Sequence, residues 1–78
     1  MERSEILEKV NDVFKDVLEE DVSIKEDYSS GDVEGWDSLN HIILIIGIEK
    51  KFNIKFNSSE ILNWKDVGEM ISSIKSKV

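Results

Sequence analysis

The chain has no cysteine and a single histidine among its 78 residues. A disulfide framework and a thiolate metal site are both excluded, so stability has to come from packing rather than cross-links. There is also no apolar run fit for a membrane. The longest, Ile42 to Ile48, falls far short of the ~20 residues a span needs, and no N-terminal apolar stretch resembles a secretion signal. These absences predict a soluble protein with the cytoplasm as its compartment. Length sets a further bound: a single domain over residues 1–78 buries only about 60% of the surface its unfolded chain exposes, too little for a deep active-site cleft of its own. That argues against an independent enzyme.

Charge is present in abundance and is unevenly placed. Residues 1–37 hold 13 acids against 4 bases, a net −9, while residues 38–78 hold 4 acids against 6 bases, a net +2, which together give the −7 of the whole chain. An acidic field of this kind disfavours nucleic acid and anionic membranes, and it steers basic protein partners toward the middle of the chain; simple solubility is the other reading of the same charges.

The apolar pattern predicts an all-α fold of four helices. From Ser4 onward, Ile6, Leu7, Val10, Val13, Phe14, Val17 and Leu18 recur at steps of one, three and four, the signature of a helix with one buried face. Residues 20–35 then lose periodicity and collect Asp, Glu, Ser and Gly, which predicts a long ordered loop pinned by Val22, Ile24, Tyr28 and Val33. A second helix is expected from Ser38 to about Phe52. On its wheel, His41, Leu44, Ile45, Ile48 and Phe52 share one arc, and Leu39, Ile42, Ile43 and Ile46 share the nearly opposite one. One arc can be core. The other is read as a partner-docking surface, with burial against the long loop as the alternative. Residues 52–56 alternate apolar and polar but have no pairing partner, so an extended connector is expected rather than a strand. Asn57-Ser58-Ser59-Glu60 resembles a capping box for a short third helix, and Asp66 with Glu69 repeats that spacing before Val67, Met70, Ile71 and Ile74 of a fourth.

At the head of the second helix stands Gly35-Trp36-Asp37-Ser38-Leu39. Asp37 suits an N-cap, since its carboxylate can accept unpaired N–H groups of the first turn, and this places Ser38 at the first helical position. Helix N-termini favour anions, so a phosphate ester on that serine is electrostatically comfortable. Ordinary capping chemistry is the bland reading of the same residues.

These residues resemble the attachment site of the acyl carrier proteins, which bear 4'-phosphopantetheine on the serine of an Asp-Ser-Leu motif. The resemblance extends over nearly the whole chain: one helix-like segment, a long acidic loop, the motif, an Ile-rich helix ending at Glu49-Lys50-Lys51-Phe52, and two further helix signals. It implies a four-helix bundle of acyl-carrier-protein type with a long loop between the first two helices and a short third helix. It implies Ser38 as the arm's attachment point, Asp37 as helix cap and as the acid that helps bind the divalent metal of the attaching transferase, and Leu39 as a transferase contact. Partners follow: a phosphopantetheinyl transferase (holo carrier protein synthase), an acyl- or aminoacyl-loading enzyme and the enzymes of a pathway, acting on a monomeric carrier that does no bond chemistry itself. Trp36, Leu39, Ile42, Ile43 and Ile46 are the candidate partner-binding residues, with core packing the competing role for Trp36. Trp64 is read as packing.

Asp37, Ser38 and His41 invite a catalytic triad. The context excludes it, because no preceding strand, strained turn or substrate cleft is encoded around them. One histidine without cysteine makes no metal site either. The second helix departs from fatty-acid-synthesis carriers, whose corresponding outer face is typically acidic: here it offers Leu39, Asn40, Ile42, Ile43, Ile46 and Lys50, with Glu49 the only acid in the helix. The Gly-Trp-Asp-Ser-Leu form is more similar to stand-alone carriers of dedicated secondary or cell-surface pathways than to the Gly-Gly-His-Ser-Leu or Gly-Gly-Asp-Ser-Leu forms of peptide-synthetase modules. Aminoacyl or peptidyl cargo, housekeeping fatty acid synthesis, and a cofactor-free helical interaction module stay open as alternatives.

Overall fold

Three of the four helix starts are written by side chains that close the first turn. In the computed structural model, which describes residues 1–78, α1 spans Arg3–Leu18, α2 Ser38–Phe52, α3 Ser58–Asn63 and α4 Val67–Lys75, with no strand. Asp37 Oδ1 accepts from Asn40 N (2.8 Å), Asn57 Oδ1 from Glu60 N (2.9 Å), and Asp66 Oδ1 from Glu69 N (2.9 Å). At α3 the box is complete, since Glu60 Oε1 accepts from Asn57 N at 3.3 Å. At α4 the returning bond slips by one residue: Glu69 Oε2 takes the N–H of Lys65 rather than that of Asp66. The first helix has no side-chain cap, and it begins one residue before Ser4. Its exit and that of α2 turn through left-handed residues, Glu19 (φ 55°) and Asn53 (φ 56°).

Thirteen buried side chains form one core. Ile6, Val10, Val13 and Phe14 of α1 meet Leu44 and Ile48 of α2 and Val67, Met70, Ile71 and Ile74 of α4. α1 and α2 approach so closely at Gly47 that a Cβ there would lie 2.8 Å from Val13 Cγ1. α3 contributes no buried residue, and its Leu62 is 82% exposed. It is held at its ends instead, by the Phe56 ring edge-on to Trp64 (4.8 Å between centroids) and by Lys77 paired with Glu60 at 3.0 Å.

The long loop is ordered by hydrogen bonds as well as by apolar pins. Ile24 and Val33 are buried and Val22 and Tyr28 pack against the core, as the pattern predicts. A short 3-10 turn over Ser30–Asp32, which the spacing did not announce, is closed by Ser29 and Asp32. Asn11 of α1 bonds both the C=O and the N–H of Ile24, one bond from each end of its amide. The loop in turn satisfies the free N–H groups of α4, through Val67 N to Tyr28 O (2.9 Å) and Gly68 N to Glu26 O (2.7 Å). Arg3 reaches across both, donating to Glu26 Oε1 (3.1 Å), Gly68 O (3.0 Å) and Ser72 Oγ (2.9 Å). The head of α2 is thereby carried on a fixed frame.

Candidate functional site

The turn into α2 is a sequence of local bonds that leaves one hydroxyl free. Gly35 takes φ +88°, a left-handed conformation natural to glycine, and its carbonyl accepts from Asn40 Nδ2 at 2.7 Å. Asp37 N also returns to Gly35 O (3.1 Å), and Asp37 caps the helix. Ser38 therefore sits at the first helical position, exposed, and its hydroxyl makes no hydrogen bond with the rest of the chain. It stands beside unpaired N–H groups and the positive end of the helix dipole, with nothing of its own structure to shield it.

Trp36, one of the expected partner-binding residues, is placed in the core: it is 8% exposed, its ring lies edge-on to Phe14 at 5.0 Å, and its size and apolar face make that burial favourable. Its indole N–H needs a partner there, and His41 Nδ1 accepts it at 3.0 Å while the two rings stack. His41 is thus half-buried on the core edge, and the one hydrogen bond of its side chain is to Trp36 rather than to Ser38. Burial lowers its pKa below the ordinary histidine value, which keeps the imidazole neutral and able to accept.

The other expected partner residues stay outside. Leu39 (68% exposed), Ile42 (59%), Ile43 (43%) and Ile46 (47%) form a contiguous series on α2, while Leu44, Ile45 and Ile48 of the opposite arc are buried. Glu49, the helix's one acid, is half-buried and spends Oε2 on the N–H of Phe56 (2.9 Å). The outer face of α2 is therefore apolar, with Lys50 at its far end.

Beside Ser38 lies a cleft of about 390 Å³ between the start of α2 and the connection from α3 to α4, bordered by Trp36, His41, Trp64, Lys65, Asp66 and Met70. The spacing marks Asp66 only as a helix start and gives Lys65 no role; the fold brings both to the cleft that Ser38 borders. Trp64 packs as expected, with Nε1 bonded to Ser73 Oγ at 2.8 Å. No cluster of three or more His, Cys, Asp or Glu is arranged to hold a metal ion. No helix is long and apolar enough to cross a membrane.

An all-helical bundle that presents an unbonded serine on a helix N-terminus, next to an exposed apolar helix face, has the arrangement expected of a carrier-type domain. Comparison with known proteins agrees. The chain is 35% identical over 72 residues to an acyl carrier protein of Clostridium acetobutylicum, covering 91% of this chain and 94% of that one. It is 30% identical over 77 residues to an acyl carrier protein of Thermotoga maritima, with 97% and 95% covered. No family model matches the sequence. The chain belongs to the acyl carrier protein family, and its role is that of a carrier rather than an enzyme.

Proposed function

We propose that residues 1–78 form one carrier domain whose Ser38 bears 4'-phosphopantetheine, and that it serves a dedicated biosynthetic pathway, secondary or cell-surface, rather than general fatty acid synthesis. The residues fit the group. Ser38 is exposed and unbonded, the first turn of α2 favours the phosphodiester, and a cleft opens directly beside the attachment point. Bound there, the group supplies a flexible arm with a terminal thiol on which acyl cargo is held as a thioester.

The chain's own residues do the rest. Asp37 holds the helix start through Oδ1 and leaves Oδ2 open beside the serine, where it can join the metal of the attaching transferase. Leu39 offers an apolar contact to the same enzyme. Ile42, Ile43 and Ile46 continue that contact toward the enzymes that load and process cargo. The observation that carries the pathway assignment is this face: apolar and without a free acid, it favours a partner that buries hydrophobic surface over one that reads a row of carboxylates.

Intact mass tests the carrier reading. Co-expression with a broad-specificity transferase should add the phosphopantetheine increment to the wild type and none to Ser38→Ala, whose fold should be almost unchanged because Asp37 keeps the cap and alanine suits a helix. An alanine variant that still gained the mass, or a wild type that never did with several transferases, would refute it.

A further inference from the structure

Four exposed positions of α2, Leu39, Ile43, Ile46 and Lys50, follow one another at steps of four, three and four residues. At about 100° per residue they share an arc of roughly 60°, opposite the buried Leu44 and Ile48 and with Ile42 on one flank. Alternating steps of three and four are the spacing by which one helix packs along another. The series also reads the same from either end. A two-fold axis between Ile43 and Ile46 therefore sets Ile43 of one copy against Ile46 of a second, and Leu39 against Lys50, which is the self-complementarity an isologous contact requires.

The two ends of this seam differ in charge. Lys50 is exposed and takes part in none of the chain's ion pairs, which join Arg3 to Glu26, Lys15 to Asp21, Lys51 to Asp12 and Lys77 to Glu60. Ahead of Leu39 stand the exposed acids Glu34 and Asp37, which are likewise in no ion pair. An antiparallel pair of α2 helices brings each Lys50 to the acidic end of the other copy, its stem over Leu39. A parallel pair would set lysine beside lysine. The seam is also short: four side chains offer much less than the roughly 800 Å² per partner of a standard interface, and the −7 on each copy opposes their approach. Such a pair is weak and reversible, and the monomer that the resemblance implies is the state in dilute solution.

We infer that α2 pairs with α2 of a second copy of this chain, antiparallel, along Leu39, Ile43, Ile46 and Lys50. The pairing needs neither an arm on Ser38 nor an enzyme. Ser38 lies about 110° round the helix from the middle of the seam, so its hydroxyl stays at the open edge of the dimer. What the second copy covers is the apolar face proposed above for enzymes, and the two associations exclude each other by mass action. At high concentration the chain shields its own apolar face from water.

Sedimentation of the unmodified chain from about 1 µM to 1 mM should show an equilibrium of monomer and dimer with its midpoint inside that range. Ile43→Glu, which puts like charges beside the two-fold axis, should stay monomeric throughout. Lys50→Glu should weaken the dimer roughly tenfold, because two exposed ion pairs become repulsions. Circular dichroism checks that both variants fold, and Lys50→Glu, an exposed change in no ion pair, keeps the test open if Ile43→Glu does not. Orientation is read separately. The chain lacks cysteine, so Lys51→Cys takes a single nitroxide label. Mixed with isotope-labelled wild type, it should broaden the amide signals of residues 37–40, which the antiparallel register places across from it. Broadening centred on residues 50–53 would mean a parallel pair and overturn the inference. A wild type that is monomeric at every concentration, leaving the face to enzymes alone, would overturn it too, as would folded variants that pair as tightly as the wild type. None of these outcomes touches the carrier reading, which the mass increment on Ser38 decides by itself.

Discussion

His41 and Gly47 each make one close contact of α2, at its head and at its middle. The Trp36 indole N–H is buried with His41 Nδ1 as its acceptor, and protonation of that nitrogen turns an acceptor into a second donor. Because the folded pKa lies below the ordinary value of about 6.5, the folded state resists the proton. The stabilisation is therefore fully present above that value and is lost as pH falls from it through the lower folded pKa. Denaturant midpoints of wild type should drop over that window relative to His41→Gln, whose side-chain oxygen accepts the indole N–H without titrating; parallel curves would show that His41 is not responsible. At Gly47 two effects compete. Alanine gains up to about 1 kcal/mol of helix propensity, but its Cβ would stand 2.8 Å from a methyl of Val13, a stiff β-branched side chain in the α1–α2 contact, and overpacking costs about 1–3 kcal/mol. Gly47→Ala should be net destabilising by about 1 kcal/mol, and Val13→Ala in the same chain should offset part of its loss; additive effects in that double-mutant cycle would deny the contact.

Among the elements, α2 carries two faces with different work. Leu44 and Ile48 are fully buried, so Leu44→Ala or Ile48→Ala should cost about 2–5 kcal/mol in unfolding experiments. Ile43→Glu and Ile46→Glu place a charge where roughly half of each side chain is already in water, so they should cost far less stability while impairing loading by the cognate enzyme. If the glutamates unfold the domain as severely as the alanines, the outer face is structural and no docking surface exists. The other elements divide differently. α1 and α4 supply most of the core, and α3 is a surface turn fastened at its ends by Phe56, Trp64 and the Glu60–Lys77 pair. The Lys77 ammonium, 3.0 Å from Glu60 Oε1, lowers the Glu60 carboxyl below its ordinary value.

For the molecule as a whole, charge and apolar contact surface fall on different elements. The acidity belongs to α1 and the long loop, whereas the face at the serine is apolar and ends in Lys50. Long-range steering by the net −7 governs how often a basic enzyme arrives; whether it stays depends on the groups that touch. The holo protein should accordingly be a poor substrate for a malonyl transferase of general fatty acid synthesis. Thioester formation measured side by side on this chain and on a fatty-acid-synthesis carrier decides the point, and comparable rates would return the protein to primary lipid metabolism.

Sequence by itself determined the four helices and the motif that heads α2, because caps and 3.6-residue periodicity are local: Asp37, Asn57 and Asp66 each act within one turn, and α2 runs from Ser38 to Phe52 as its pattern demands. It also located the pins of the long loop, since apolar residues in a polar stretch have one place to go. What it could not decide was anything that depends on two distant segments meeting. Both arcs of α2 are apolar, and only the packing of α1 and α4 against one of them leaves Leu39, Ile42, Ile43 and Ile46 outside. Trp36 next to the motif could face a partner or the core, and the position of Phe14, twenty-two residues earlier, sends it inward. The cleft at Ser38 needs Trp64, Lys65 and Asp66 to arrive from the far side of α3, and Arg3, Asn11 and Glu26, unremarkable in the sequence, become the bonds that hold the loop and α4 in place for it. Burial is a property of pairs of surfaces, and a single helix wheel describes only one.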